Sequence, residues 1–348
     1  MNKILVLNIA TDSDDTSLGF AITWLNSLSK NYDEVDVITL KKGNISSLNE
    51  NINIFEITRN KSSWIKIFQT LTTLKKLLVN GKYEYCLSHM SPSLSIISYF
   101  YLKQKKIPSV LWYAHPGPKD LKKKLILFIS KFTVDKIITS TINSYPLKSK
   151  KINAIGQAIN YEYFLNEKKE YKNENFLILS RISKSKKIDE SINAFLNSIY
   201  SSSNKLYIIG GPVTVTDEKY FLFLKDKYID FKNIVFEGVI PHNQLKKFFD
   251  NTKFHINNTS EGNYDKTVLE TSVSGIINFY KNSDYDKFFP EEYVNYLRFD
   301  DKEDDLIKKI SMINELHNDD LSKIIKSSQI NIQKETLLNL DERIKSII

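Results

Sequence analysis

Short apolar runs alternate with helical patterns along the whole of this 348-residue chain, a pattern that restricts it to parallel sheets covered by helices. In the first half the expected strands are "KILVLNI", "EVDVITL", "NINIFEI", "EYCLSHM", "SVLWYAH" and "DKIITS". Between the third and fourth, Trp64, Phe68, Leu71, Leu74 and Leu78 recur at helical spacing, which predicts one buried stripe. A polar stretch, "NEKKEYKNEN" (166–175), then interrupts the alternation and reads as a linker. The pattern restarts with "FLILSRI" and a helix carrying Ile188, Ile192, Phe195 and Ile199 on one face. It continues through "KLYIIGGP", "NIVFEGVI", "KFHINN", "GIINFY" and "VNYLRF". The fold class is therefore α/β: two Rossmann-like domains, 1–165 and 166–348, with parallel sheets facing a cleft and ligands expected at the carboxyl ends of the strands. The C-terminal stretch is helical and charged. Its pattern does not show which domain it packs on, and a return to the N-terminal domain is one arrangement.

Composition narrows the partners. No apolar run approaches the ~18 to 20 residues of a membrane-spanning helix. The opening "MNKILVLNIATDSDD" meets acidic residues where a signal peptide has small ones, so it reads as a buried strand followed by a loop. A single cysteine, Cys86, excludes an internal disulfide and a multi-cysteine zinc site, and fits a reducing cytoplasm. The net charge of +8 is unevenly spread: 22 Lys+Arg face 12 Asp+Glu in residues 1–165, a net +10, against 27 and 29 in residues 166–348, a net −2. A basic half suits nucleic acid, an anionic membrane surface, or simply a Lys-rich solvated exterior. No helix-turn-helix, RNP-like strand or zinc knuckle is present to carry nucleic acid, so no nucleic-acid partner is expected.

Two stretches could carry chemistry. In "LSRISKSKKIDESI", Arg181 stands at a strand end and Lys186 at the opening of a helix, a pairing suited to a diphosphate but also common on solvated loops. In "HINNTSEGNYDKTVLETSVSGIINF" (255–279), a strand, a polar loop and a helix bring Glu261, Asp265, Lys266 and Glu270 within ten residues. Lys266 and the helix N-terminus would face an anion, and Glu270 would accept from ribose hydroxyls. The plainer reading makes Asp265 an N-cap and Glu270 a surface residue. Asp12-Ser13-Asp14 and Asp284-Tyr285-Asp286 both read D-x-D, but such triplets are common by chance and no metal is expected. The five histidines, His89, His115, His242, His255 and His317, lack ligand spacing. His89 and His255 are expected to pack at strand ends, and His242 to start a helix. In "KDLKKKLILFISK", Leu121, Leu125, Phe128 and Ile129 line one face and Lys122, Lys123 and Lys124 the other. This is either core packing with a solvated basic face or peripheral docking to anionic lipid.

These residues carry a resemblance. The strand-Arg-x4-Lys pattern, "IIGGP", "IVFEGVIPHNQLKKFF" and "SEGNYDKTVLETSVSG" occur in the order and approximate separations seen in the C-terminal lobe of family 4 glycosyltransferases, which have the GT-B fold. "SLGF", "HPGP" and "INAIGQAINYEYF" resemble that family's N-terminal lobe, so the likeness extends to about residue 280. It implies that Arg181 and Lys186 hold the donor's pyrophosphate, with Lys266 adding to its neutralisation, and that Glu270 binds ribose. It further implies that Glu261 approaches the donor sugar, that the backbone at Val239 and Ile240 meets the base, and that His115 faces the sugar. The sequence departs from the family in two places. Eight residues separate Glu261 and Glu270 where seven are usual, and the first loop lacks a Gly-Gly pair, leaving Gly19, with Thr16 and Ser17, to approach phosphate or acceptor.

The expectation is a cytoplasmic glycosyltransferase, needing no cofactor or metal and retaining anomeric configuration, that moves a sugar from a UDP- or GDP-sugar to a glycan or lipid-linked acceptor. Contact with the inner membrane face would follow from the lipid-docking reading. The alternatives are a nucleotide-sugar epimerase of the same fold and a non-catalytic sugar- or partner-binding module.

Overall fold

The computed structural model describes residues 2–15, 18–58, 62–118, 120–167, 170–171, 173–302 and 304–348. It divides into two compact units, Met1–Ala158 with Leu337–Ile348, and Ile159–Thr336.

The first unit is built on seven parallel strands: β1 (Lys3–Asn8), β2 (Glu34–Thr39), β3 (Ile52–Glu56), β4 (Cys86–His89), β5 (Ser109–Trp112), β6 (Lys136–Thr139) and β7 (Ile152–Ala154). They lie in the order β3-β2-β1-β4-β5-β6-β7. Alternate side chains of a strand face opposite ways, so each strand serves two cores. Ile4 and Val6 of β1, with Val35 and Val37 of β2, pack against Ala21, Trp24, Leu25 and Leu28 of α1 (Phe20–Ser29). On the other side Leu5, Leu7 and Ile38 meet Leu74 and Leu78 of α2 (Ser63–Asn80) and Leu94 and Leu102 of α3 (Pro92–Gln104). Next to α3, α4 (Leu121–Thr133) buries only Leu127 and Ser130.

This face corrects two expectations. The stripe on α2 is buried only at Leu74 and Leu78, because Trp64 and Phe68, near the start of the helix, are 80% and 68% exposed. The apolar side of α4 is likewise not core, since Leu121, Leu125, Phe128 and Ile129 are all exposed.

The second unit has five parallel strands, β8 (Phe176–Leu179), β9 (Leu206–Ile209), β10 (Ile234–Gly238), β11 (Phe254–Asn257) and β12 (Ile277–Tyr280), in the order β10-β9-β8-β11-β12. Its helices are α5 (Tyr161–Phe164), α6 (Ile188–Leu196), α7 (Val215–Lys227), α8 (Lys246–Phe249), α9 (Lys266–Val273), α10 (Glu291–Leu297), α11 (Asp305–Met312) and α12 (Asn318–Ile332). Tilted aromatic rings fill its centre: the Phe176 ring lies 4.8 Å from that of Phe254 and 5.2 Å from that of Phe195. Ile188, Ile192 and Phe195 are fully buried, whereas Ile199 falls beyond the end of α6 and is exposed. The expected strand "VNYLRF" is mostly α10, whose Tyr293 and Leu297 point into the core one turn apart. Only Arg298 makes a strand-like bridge, to Tyr280.

The units divide at 158/159 rather than 165/166. Tyr161 and Phe164 of α5 belong to the second core, and Phe164 packs on Phe249 at 5.4 Å. The chain returns to the first unit at Leu337, and α13 (Leu340–Lys345) buries Leu340 and Ile344 beside α1. Asp341 of α13 is buried and accepts hydrogen bonds from Tyr32 Oη (2.6 Å) and Tyr85 Oη (2.9 Å). Burial, together with that carboxylate, pushes both phenols well above their ordinary pKa, so they remain donors. Replacing Asp341 with Ala strands two buried hydroxyls. The D341A variant is expected to lose about 2 to 4 kcal/mol of stability in urea denaturation, and an unchanged midpoint would show that α13 does not help to hold the first unit.

Candidate functional site

In the second unit strand order reverses between β8 and β11, which pair directly while their following connections run to opposite sides. The gap at the carboxyl ends of such a pair is where open α/β sheets take ligands. Of the residues singled out in the sequence, Arg181 and Lys186 follow β8 and Asp265, Lys266 and Glu270 follow β11, and the glycines of "IIGGP" shape the edge between them. Gly210 has φ +139°, and a Cβ there would lie 1.8 Å from the Ser180 carbonyl oxygen. A Cβ on Gly211 would lie 2.5 Å from the Val239 side chain. The backbones can therefore close up: Ile182 N–H donates to Gly211 O (3.0 Å) and Gly210 N–H to Gly238 O (2.8 Å). Arg181 stands exposed on this edge, and no hydrogen bond or ion pair of its guanidinium occurs among the described residues.

Lys186 closes a short 3-10 turn, Lys184–Lys186, after which Lys187 adopts the left-handed conformation (φ 47°) that starts α6. Its ammonium donates to both oxygens of Asp265 (2.9 and 2.7 Å) and to Thr259 Oγ1 (3.3 Å). Asp265 also accepts from Asn257 Nδ2 (3.1 Å) and Thr259 Oγ1 (2.8 Å), so its carboxylate is engaged across the gap rather than capping α9. Burial alone would raise the Asp265 carboxyl. Lys186, helped by the Asn257 and Thr259 hydrogen bonds, overturns that and holds it below the usual carboxylate range.

Glu270 is not a surface residue. Helix α9 packs against α5, α12 and β12, so every side chain from Val268 to Val273 is buried, and Glu270 is 3% exposed. A carboxylate in such a place needs a cationic partner. It has one in His242, whose Nε2 donates to Glu270 Oε1 at 2.9 Å. Pro241 starts the turn that carries His242, and the Phe164 ring packs nearly perpendicular to the imidazole, 5.2 Å between centroids. Burial pushes the Glu270 carboxyl up, but the attraction and hydrogen bond of His242, with Lys266 adding, leave it below its ordinary value. Burial likewise pushes the His242 imidazole down, and Glu270 more than reverses this against the opposing charge of Lys266. The sequence reading missed this pair, since it joins the loop after β10 to a helix 28 residues later. The available signal was a lone Glu inside the otherwise small and apolar "VLETSVSG".

The remaining candidates are placed as follows. Val239 is exposed and Ile240 half-buried, just after Gly238 (φ +74°). Glu261 is exposed and turned to the next loop, accepting from Ser283 N–H at 2.8 Å. In the first unit His115 is exposed in the loop after β5. Gly19 caps α1, where a Cβ would lie 2.7 Å from Asp15 O, so its lack of a side chain serves its own turn. Thr16 and Ser17 lie outside the described residues. The two D-x-D stretches bind protein groups: Asp12 pairs with Lys41 (2.8 Å), and Asp286 pairs with Arg298 and accepts from Tyr280 Oη. Among the described residues no three His, Cys, Asp or Glu side chains are grouped to hold a metal ion. His255 is fully buried and its Nδ1 donates to Asn278 Oδ1 (2.6 Å). Burial lowers its pKa to about 4, which marks it as a neutral packing residue. His89 bonds Asn8 (3.1 Å) at the matching reversal between β1 and β4.

Comparison with known proteins places the fold. Residues 12–141 match the family described as glycosyl transferase 4-like. HepE of Anabaena, solved with UDP and glucose, superposes with a TM-score of 0.77 at 13% identity, covering 99% of each chain. The fold is GT-B. Sucrose-phosphate synthase from Thermosynechococcus elongatus superposes on the same GT-B architecture with a TM-score of 0.74 at 12% identity, covering 100% of this chain and 99% of the other. A variant of S. aureus TarM, solved with fondaparinux, alpha-GlcNAc-glycerol and UDP, gives 0.73 at 12% identity over 100% and 99%. No curated protein sequence matches the chain.

The His242–Glu270 pair sets a pH dependence. The imidazole's raised pKa makes its contribution complete below its ordinary value of 6.5, and that contribution is lost as pH rises through the raised value. The lowered Glu270 pKa adds a contribution present above 4.5 and lost as pH falls through the depressed value. The stability difference between wild type and His242→Gln should therefore be largest between pH 4.5 and 6.5 and shrink by pH 9. Its expected size is about 1 to 2 kcal/mol, less than for a fully enclosed pair because His242 is partly exposed. Urea denaturation at pH 5.5 and pH 9 checks this, and equal differences at the two values would show that the contact carries no charge.

Proposed function

We propose that this protein is a glycosyltransferase that takes a nucleotide-sugar donor at the carboxyl edge of the second unit's sheet and passes the sugar to a glycan or lipid-linked acceptor. The observation that carries the reading is the buried Glu270, tied to His242 through Oε1. Its second oxygen is suited to the paired hydroxyls of a ribose, and α9 begins one turn earlier, at Lys266, where a diphosphate gains from the helix N-terminus. HepE and TarM, of the same fold, were solved with UDP, so a UDP-sugar is the first donor to try, with a GDP-sugar as the alternative.

Cleavage of the bond between the anomeric carbon and the nucleoside diphosphate places negative charge on the leaving phosphate. Fixed cations there stabilise the transition state more than the ground state. Lys186 is held in place by Asp265, and that partner cancels most of its charge at a distance. Arg181 therefore supplies the larger share of positive potential, with Lys266 and the α9 N–H groups behind it. The exposed position of Arg181 suits a group that meets its anion only when donor arrives. In this reading the backbone at Val239 and Ile240 meets the base and Glu261 approaches the sugar. The cations take the place of a metal. The leaving phosphate assists removal of the acceptor proton, which gives retention at the anomeric carbon.

Calorimetry with UDP, GDP and their sugars tests the proposal. Arg181→Ala is expected to weaken binding of the preferred nucleotide by roughly a hundredfold, the loss of about one charge-assisted bidentate contact of ~3 kcal/mol. Glu270→Gln should weaken the nucleotide but not inorganic diphosphate. Nucleotide binding with no sugar transfer and no donor consumption would favour a binding module, donor consumption without acceptor an epimerase, and no nucleotide binding would overturn the reading.

A further inference from the structure

Helices α2, α3 and α4 lie side by side on one face of the first unit's sheet, α3 packing against both neighbours. Toward the sheet α3 presents Leu94, Ser95, Ser98 and Leu102, and α4 presents Leu127 and Ser130, so three of these six inward residues are serines. Those hydroxyls are satisfied within their own helices, Ser98 Oγ donating to Ser95 O (3.1 Å) and Ser130 Oγ to Leu127 O (2.8 Å). Further large apolar side chains of the three helices point outward. Trp64 and Leu121 are each 80% exposed and Phe100 is 78% exposed, with Phe68, Leu125 and Phe132 beside them at more than half. Isolated exposed apolar residues need no explanation, but a concentration of them on three adjacent helices marks an interaction surface.

The charge says what covers it. The 44 residues of these helices contain eight lysines, Lys66, Lys75, Lys76, Lys103, Lys122, Lys123, Lys124 and Lys131, and no Asp or Glu. The acids at the ends of α4 are occupied: Asp120 caps the helix through Lys123 N–H (2.9 Å), and Asp135 accepts from Ser109 N–H and Oγ (both 2.8 Å). A cavity of about 520 Å³ at the carboxyl ends of α3 and α4 continues the positive surface, with Lys103, Lys106, Lys136 and Lys151 on its wall against one carboxylate, Asp135. A second copy of the chain would bring lysines against lysines, which disfavours self-association through this face. A surface with large apolar side chains set among unopposed lysines matches the headgroup boundary of an anionic bilayer, where apolar groups enter and ammonium groups meet lipid phosphate.

We propose that the α2–α4 face docks this protein on the surface of an anionic bilayer. The protein carries its own probe. Of its three tryptophans, Trp24 and Trp112 are buried in the first unit and only Trp64 is exposed. Mixing the full chain with phosphatidylglycerol/phosphatidylcholine vesicles should shift its tryptophan emission to the blue, and brominated lipid should quench it, while pure phosphatidylcholine produces little of either. The triple variant Lys122→Ala, Lys123→Ala, Lys124→Ala should weaken vesicle co-sedimentation by roughly a hundredfold, at about fivefold per lysine. Phe100→Ser with Phe128→Ser should weaken it and leave Trp64 unquenched. Lys326→Ala, on α12 of the second unit, should change nothing, and circular dichroism confirms that each variant folds. Equal binding to neutral and anionic vesicles, absence of binding to both, or salt-resistant self-association lost in the phenylalanine variant would each overturn the proposal. None of these readouts depends on nucleotide or transfer activity.

Discussion

The reversal of strand order beside β8 is the constraint on which the second unit's site depends. Parallel strands oblige every connection to leave from the carboxyl edge, and where two adjacent connections diverge the edge is left open. The diverging segments here are the β8–α6 loop, which carries Arg181 and Lys186, and the β11–α9 loop, which carries Thr259 and Asp265. The Lys186–Asp265 ion pair spans them. It stitches the two loops that the topology separates, and it keeps an ammonium and a helix start in register.

The second ion pair solves a different problem. Helix α9 is buried on all sides, so its Glu270 would be an uncompensated charge without His242. The two pairs differ in exposure. The Lys186 ammonium is largely enclosed, whereas the His242 imidazole is open on one side and remains within reach of solvent protons. Protonation of His242 thus couples the ionisation of a buried carboxylate to the medium, and the nearby positive charge of Lys266 limits how far the imidazole's pKa can rise.

Most strands were legible because parallel strands covered on both faces read as apolar runs, and eleven of the expected segments contain the observed strands β1 to β6 and β8 to β12. The failures have definite causes. Strand β7 is three residues long with no buried member, too short to register as a run. "VNYLRF" alternates like a strand, yet after Pro290 the acidic pair Glu291 and Glu292 gives it a favourable helix start. At the candidate site, Arg181, Lys186, Lys266 and Glu270 could be picked out as local patterns next to strand ends. Their true partners, Asp265 for Lys186 and His242 for Glu270, are 79 and 28 residues distant, and sequence periodicity holds no information about contacts of that range.

The misread helices α2 and α4 separate two statements that periodicity merges. A 3.6-residue repeat of apolar residues establishes that a helix has an apolar side, and says nothing about whether that side meets the protein's own core. In α4 the sheet takes only Leu127 and Ser130, and Leu127 joins Leu111, Tyr113, Val134, Ile137 and Tyr145 in one small core. Leu121, Leu125, Phe128 and Phe132 are thereby left over. Left in water, each of these side chains forgoes about 1.5 to 3 kcal/mol that burial would provide. The lysines between them repel a like-charged copy of the same face. That combination is unfavourable for a surface that meets only water, and favourable for one that meets an apolar phase beneath an anionic boundary.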